Sequence, residues 1–450
     1  KPFNYVGHPE AERIIIAMGS VTDTIEETVE YLVKKGEKVG AVKVRLYRPF
    51  SAKYFFDVMP KTVKKIAVLD RTKEKGSVGE PLYLDVKNIF FDRKDDVVIV
   101  GGRYGLASKD TTPAQILAVY ENLKQEQPKD RFTIGIIDDV THTSLEIKEE
   151  ITTEPDDRVR CKFWGFGSDG TVGANKQAIK IIGDNTDMYV QAYFAYDSKK
   201  SGGVTISHLR FGKSPIKSTY LISEADFISC SKQSYLHQYD VLKGLKKGGT
   251  FLLNTIWEGE ELEKNLPAKV KKYIYDNEIN FYTINATKIA SEIGLGGRTN
   301  MIMQAAFFKL ANIIPVEEAV RYLKESIKEE YGAKGDDIVN MNYMAVDKGI
   351  EALVKVEAKD EWKDAKEEIV EEKNLPSFIK DIKIPMDRQE GNNLPVSAFM
   401  DRVRGEIPAG TAKYEKRGVA VNVPRWIKEN CIQCNQCSLV CPHAAIRPFL

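Results

Sequence analysis

The chain of 450 residues is 42% hydrophobic and 29% charged, which supplies large cores and an expected count of about three domains. A formal net charge of +1 excludes a general pull toward nucleic acid or anionic membrane, and no apolar run approaches the about 20 residues of a membrane span. Six cysteines, four of them crowded between Cys431 and Cys441, suit a metal cluster rather than a disulfide framework and imply a reducing, cytoplasmic setting.

In chain order, residues to about 150 alternate strand and helix. Arg13–Gly19 is a buried strand, and Thr24-Ile25-Glu26-Glu27 is a capping box that should start a helix running to about Lys35. Strands are expected at Val39–Leu46, Ile66–Asp70, Val97–Val100 and Phe132–Asp138, with Gly101-Gly102-Arg103-Tyr104-Gly105 as a structural turn ahead of the alternative, a loop that touches a ligand. That alternation implies a parallel sheet covered on both faces.

A second α/β segment follows to about Val354, with strands expected at Val159–Trp164, Met188–Tyr196, Val204–Arg210, Ser218–Ile222, Phe227–Ser229 and Gly249–Asn254. Between the first of these and a helix over Thr171–Ile182, Gly165, Gly167 and Gly170 read G-x-G-x-x-G. Glycines allow the backbone to turn sharply, and the helix start offers unpaired N–H groups to a phosphate. A dinucleotide site would want an acidic residue about 20 positions on. Asp184 and Asp187 come early, and Asp197 comes late, beside Ser198-Lys199-Lys200-Ser201-Gly202-Gly203. The pattern therefore points to a phosphate-bearing ligand between two loops, with a plain βα turn and an NAD site as alternatives. Asn254, at a strand end, is a candidate polar contact. Gly294–Asn300 is a glycine-rich stretch before an apolar helix over Met301–Ile313, and serves equally as hinge or binding loop. His208, His237, Cys161 and Cys230 have no metal-like neighbours and read as structural.

Residues 355–380 turn to Lys, Asp and Glu with a helical period, a solvated connector; Gly391–Pro424 suits an extended linker. Then Cys431-x-x-Cys434-x-x-Cys437-x-x-x-Cys441-Pro442 has the spacing of the bacterial ferredoxin run. Thiolates are soft ligands that suit an iron–sulfur cube, whereas zinc sites usually pair two distant knuckles. In two-cluster ferredoxins the fourth cysteine serves the other cluster. Cys431, Cys434 and Cys437 would then share one 4Fe-4S cluster and Cys441 would serve a second. The start at Lys1 and the end at Leu450 suggest a piece of something longer.

Taken together, Arg45–Phe50, Gly101–Leu106, Gly167–Lys176, Asp197–Gly203 and Cys431–Pro442 resemble, in this order, the long single-chain form of the pyruvate:ferredoxin (flavodoxin) oxidoreductase family. The resemblance implies an α/β multidomain chain: a transketolase C-terminal-like parallel-sheet domain (1–150), a gamma-type CoA-binding domain (151–354), a linker (355–424) and an incomplete two-cluster ferredoxin domain (425–450). It implies oxidative decarboxylation of pyruvate to acetyl-CoA, in a homodimer, with electrons passed through iron–sulfur clusters to ferredoxin or flavodoxin. The loop ligand is then coenzyme A, held by Gly167, Ser168, Asp169, Gly170, Thr171 and Gly173 with Lys199 and Lys200. Thiamine diphosphate and magnesium belong to domains outside this sequence. Gly167-Ser168-Asp169-Gly170 only echoes their Gly-Asp-Gly…Asn motif, so no catalytic acid or base is assigned and no turnover of pyruvate is expected from this chain alone. A sister enzyme for another 2-oxo acid, a non-catalytic electron carrier with a nucleotide-binding module, and an NAD-dependent dehydrogenase are the competing readings.

Overall fold

Ile14, Ile15 and Ile16 are fully buried in successive positions, as befits the central strand of a sheet covered on both faces. The computed structural model describes residues 1–449 apart from 92, 94, 95, 198, 200, 201, 367–373 and 416–423. In it, the first sheet contains β1 (Phe3–Gly7), β2 (Arg13–Met18), β3 (Val39–Val44), β4 (Lys65–Asp70), β5 (Val98–Arg103) and β6 (Phe132–Thr133), in the order β1-β3-β2-β4-β5-β6. All pairings are parallel except β1 on β3. Side-chain alternation divides β2 between two cores. Ile15 packs with Ile25 and Val29 of helix α1 (Val21–Lys34) and Val119 of α3 (Pro113–Lys124), while Ile14 and Ile16 pack with Leu82 and Val86 of α2 (Pro81–Phe91).

Several details depart from expectation. The capping box lies one turn inside α1, and the Thr24 hydroxyl bonds that of Thr219 (2.7 Å) instead of capping. Gly101-Gly102-Arg103 extends β5 rather than turning, and β6 stops at Thr133, well short of Asp138.

The second sheet holds β7 (Val159–Phe166), β8 (Tyr189–Tyr196), β9 (Val204–Gly212), β10 (Ala225–Cys230), β11 (Leu245–Asn254), β12 (Asn280–Ile284) and β13 (Val354–Val356). Their order is β13-β12-β11-β10-β7-β9-β8. Strands β7, β10, β11 and β12 are parallel; β9 runs against β7 and β8, and β13 against β12. One face is covered by α4 (Thr171–Asn185) and α5 (Asn300–Ala311), where Phe307 meets Phe163 and Phe227 with ring centroids 5.0 and 5.2 Å apart. Helices α6 (Val316–Tyr331) and α7 (Asp336–Glu351) complete that layer through buried Leu323, Ile327, Ala345 and Val346. Ser218–Ile222, expected as a strand, is irregular. Within the charged connector, Trp362 is buried in a short 3-10 turn (Asp360–Asp364), so the described part is anchored rather than a solvated helix; residues 367–373 lie outside the described residues.

Residues 1–414 form one compact unit and 415–450 another. In the second, the described residues form a 3-10 turn at Lys428–Asn430 and helix α8 (Gln436–Val440). Among the described residues no helix is long and apolar enough to cross a membrane.

Candidate functional site

Strand direction assembles the site. Because β9 opposes both β7 and β8, Phe166 pairs with Val204 and Tyr196 with Thr205 at one end of the sheet. The loop after β7 and the loop joining β8 to β9 therefore meet, and Gly167 N donates to the Gly203 carbonyl (2.9 Å). A cleft of about 270 Å³ lies between them, lined by Gly167, Ser168, Asp169, Gly170, Asp197, Lys199 and Gly203 among others.

The carboxylate of Asp169 shapes this loop from inside. One oxygen accepts the Phe166 amide and the other the Thr171 amide, both at 2.8 Å. A carboxylate so engaged stiffens the turn. Gly170 sits at the N-cap of α4 with φ +87°, and a Cβ there would lie 3.2 Å from Asn300 Cγ. The Gly294–Asn300 stretch thus abuts the site, a neighbour that spacing alone does not reveal. Thr171 Oγ1 lies 3.2 Å from Ser231 Oγ at the end of β10. Gly173 lies in the first turn of α4, where a Cβ would meet nothing within 4 Å.

Lys199 Nζ is 3.8 Å from Asp197 Oδ2 and 3.5 Å from Asp387 Oδ1, and Asp197 Oδ1 also accepts the Lys199 amide (3.2 Å). Lys200 lies outside the described residues. A further cation, Lys232, stands 4.1 Å from the ring centre of Phe166, with burial lowering its pKa. It too escaped the sequence reading, because it follows a different strand. Asn254 is buried and structural in its contacts: Nδ2 donates to the Ser231 carbonyl (3.0 Å) and Oδ1 accepts the Ala286 amide (3.0 Å). It ties the ends of β10 and β11 together and does not line the cleft.

The expected structural roles hold for the isolated histidine and thiols. His208 Nδ1 accepts the Ile222 amide (3.1 Å), and burial, then Lys162 and Arg210, lower its pKa to about 3. Cys161 and Cys230 are buried with raised pKa values, chiefly through desolvation.

In the C-terminal unit, Cys431, Cys434 and Cys437 are exposed and Cys441 is half-buried. Positive φ at Gln433 and Asn435 (both 59°) bends the chain on either side of Cys434. The Ala445 amide donates to Cys441 Sγ (3.3 Å), and backbone N–H groups led by that of Ile446 lower the Cys441 pKa. Among the described residues no three His, Cys, Asp or Glu side chains are gathered about one point. The donor chemistry nevertheless fits an iron–sulfur cluster: thiolates on a tightly winding chain, with amides directed at sulfur.

A family described as pyruvate ferredoxin/flavodoxin oxidoreductase matches residues 160–352, and pyruvate:ferredoxin oxidoreductase core domain II matches 11–116. A domain of unknown function matches 364–420, and a 4Fe-4S binding domain matches 424–447. The chain is 61% identical to a pyruvate-flavodoxin oxidoreductase of Enterobacter agglomerans and 59% identical to a pyruvate:ferredoxin oxidoreductase of Moorella thermoacetica, each match covering 100% of this chain and 38% of the relative. It is 49% identical to a mitochondrial pyruvate dehydrogenase [NADP(+)] of Euglena gracilis, over 100% of this chain and 25% of that one. The chain therefore spans well under half the length of these relatives, and along that span it belongs to the pyruvate:ferredoxin/flavodoxin oxidoreductase family.

Proposed function

We propose that this chain supplies the coenzyme A-binding and cluster-bearing part of a cytoplasmic, homodimeric oxidoreductase that converts pyruvate to acetyl-CoA and carbon dioxide, with electrons passed to ferredoxin or flavodoxin. The observation that carries the reading is the cleft where the glycine loop, the start of α4 and Lys199 converge, in a chain of this family. Backbone N–H groups at a helix start and an ammonium suit the phosphates of CoA. NAD is favoured less, because the Asp197 carboxylate is engaged by the Lys199 amide and ammonium rather than offered to a ribose.

Cys431, Cys434 and Cys437, with Cys441, would hold 4Fe-4S clusters, which when bound supply one-electron carriers. The N–H groups aimed at Cys441 favour its thiolate form. Thiamine diphosphate and magnesium are assigned to segments outside this chain. Asp169 is satisfied within its own loop, which agrees with that assignment. Division at about residues 150, 354 and 424 remains part of the same reading. A sister reaction on another 2-oxo acid differs only in substrate choice, which this chain is not proposed to make. Calorimetric titration with CoA, with NAD as control, tests the assignment: CoA binding without NAD binding supports it, and the reverse moves the site to a dehydrogenase.

A further inference from the structure

The amine expected to meet the ligand's phosphate already faces a carboxylate from far along the chain. Asp387 lies 188 residues from Lys199, and its Oδ1 is 3.5 Å from Lys199 Nζ. It ends the segment Ile379–Asp387, which is held down by buried Ile379 and Ile382. The other Asp387 oxygen accepts from Lys383 Nζ, one turn back on the same segment. The charges therefore run Asp197, Lys199, Asp387, Lys383, alternating in sign beside the cleft. Tyr239 nearby has its pKa pushed up to about 12 by burial first and then by Asp197 and Asp387.

A carboxylate oxygen at an ammonium occupies the position that a phosphate oxygen takes in a bound anion. Two carboxylates around Lys199 oppose a phosphate with its own negative charge. Asp387 has a second partner, Lys383, whose side chain is only 11% exposed, so release from Lys199 leaves it paired. We propose that Asp387 is a competing counter-ion for Lys199: the segment Ile379–Asp387 occupies the phosphate-binding amine and yields it when a phosphate-bearing ligand enters. This rests on the phosphate-ligand reading of the cleft and adds a gating residue to it.

The test is calorimetric titration of the full chain and of Asp387→Asn, Lys199→Ala and the double variant, with CoA and separately with inorganic pyrophosphate. Neutralising a partly exposed ion-pair partner should tighten binding of the anion by roughly fivefold. The gain should vanish in the double variant, which should match Lys199→Ala. Matched thermal melts show that each variant is folded. CoA binding unchanged or weakened by Asp387→Asn overturns the gate and leaves the CoA assignment standing. A Lys199-dependent gain for pyrophosphate, with CoA bound by no variant, keeps the gate and overturns CoA. Failure of both probes with every variant overturns both.

Discussion

At the scale of single residues, buried polar groups explain more than the exposed ones. His208 is held neutral because its Nδ1 accepts the Ile222 amide, while Lys162 and Arg210 stand near enough to oppose a second positive charge. Its folded pKa, about 3, lies below the unfolded value near 6.5, so the unfolded chain binds the extra proton first. This contribution to stability is present above about pH 6.5 and is lost as pH falls toward about 3. Urea unfolding should therefore show about 1.5 kcal/mol less stability at about pH 5 than at about pH 6.5 from this group. His208→Asn, which keeps an acceptor for Ile222, should flatten that slope; an unchanged slope would show that another group titrates. Lys162 is depressed to about 8, by burial foremost, and adds a separate rise in stability as pH climbs from about 8 toward its unfolded value. The sequence marked His208 as structural but not its partners, which come from β7 and from a segment with no strand ladder.

At the scale of elements, the sequence is legible where apolar period and glycine placement agree. The strand β7, the glycine turn and α4 follow from Val159–Trp164, the G-x-G-x-x-G spacing and the apolar face of Thr171–Ile182. Ser218–Ile222 misleads because its composition suits a strand while its backbone donors go to side chains: Leu221 N to Asp110 Oδ2 and Ile222 N to His208 Nδ1. The capping box misleads for a similar reason, since Thr24 bonds across to Thr219. Short edge strands such as β1 and β13 carry little period to read. In β5, Gly102 is required by contact rather than by turn geometry. A Cβ there would run into the Phe132 ring and lie 2.7 Å from Leu69 Cδ2. Gly102→Ala should cost about 1–3 kcal/mol by overpacking, read as a lowered denaturant midpoint. An unaltered midpoint would mean that Phe132 can move aside.

At the scale of the whole molecule, the two sheets of residues 1–414 are joined through Glu27 of α1. Its carboxylate, 7% exposed, accepts hydroxyls of Tyr220, Thr153 and Ser218, the last at 2.7 Å. Lys217 adds contacts to Glu26 and Glu30 of the same helix. Beside them Arg210 is buried and grips both oxygens of Glu154 (3.1 and 3.0 Å). Glu27→Ala removes the shared acceptor of three hydroxyls, two of them buried (Ser218 and Tyr220), and should destabilise by about 3 kcal/mol, with the sheets unfolding in separate steps. Glu27→Gln, which keeps acceptor capacity, should lose less. A single transition of unchanged midpoint in Glu27→Ala would show that apolar contacts dominate the joint. None of this pairing is visible in sequence, because it links residues from 56 to 193 positions apart; the family-bearing motifs are visible because each is local. The most direct test of the account is CoA titration of the native chain beside Lys199→Ala. Clear CoA binding is expected, weakened by roughly tenfold in the variant through loss of a charge-assisted contact, with no binding of NAD. Equal CoA affinity for both proteins, or binding of NAD alone, would contradict it.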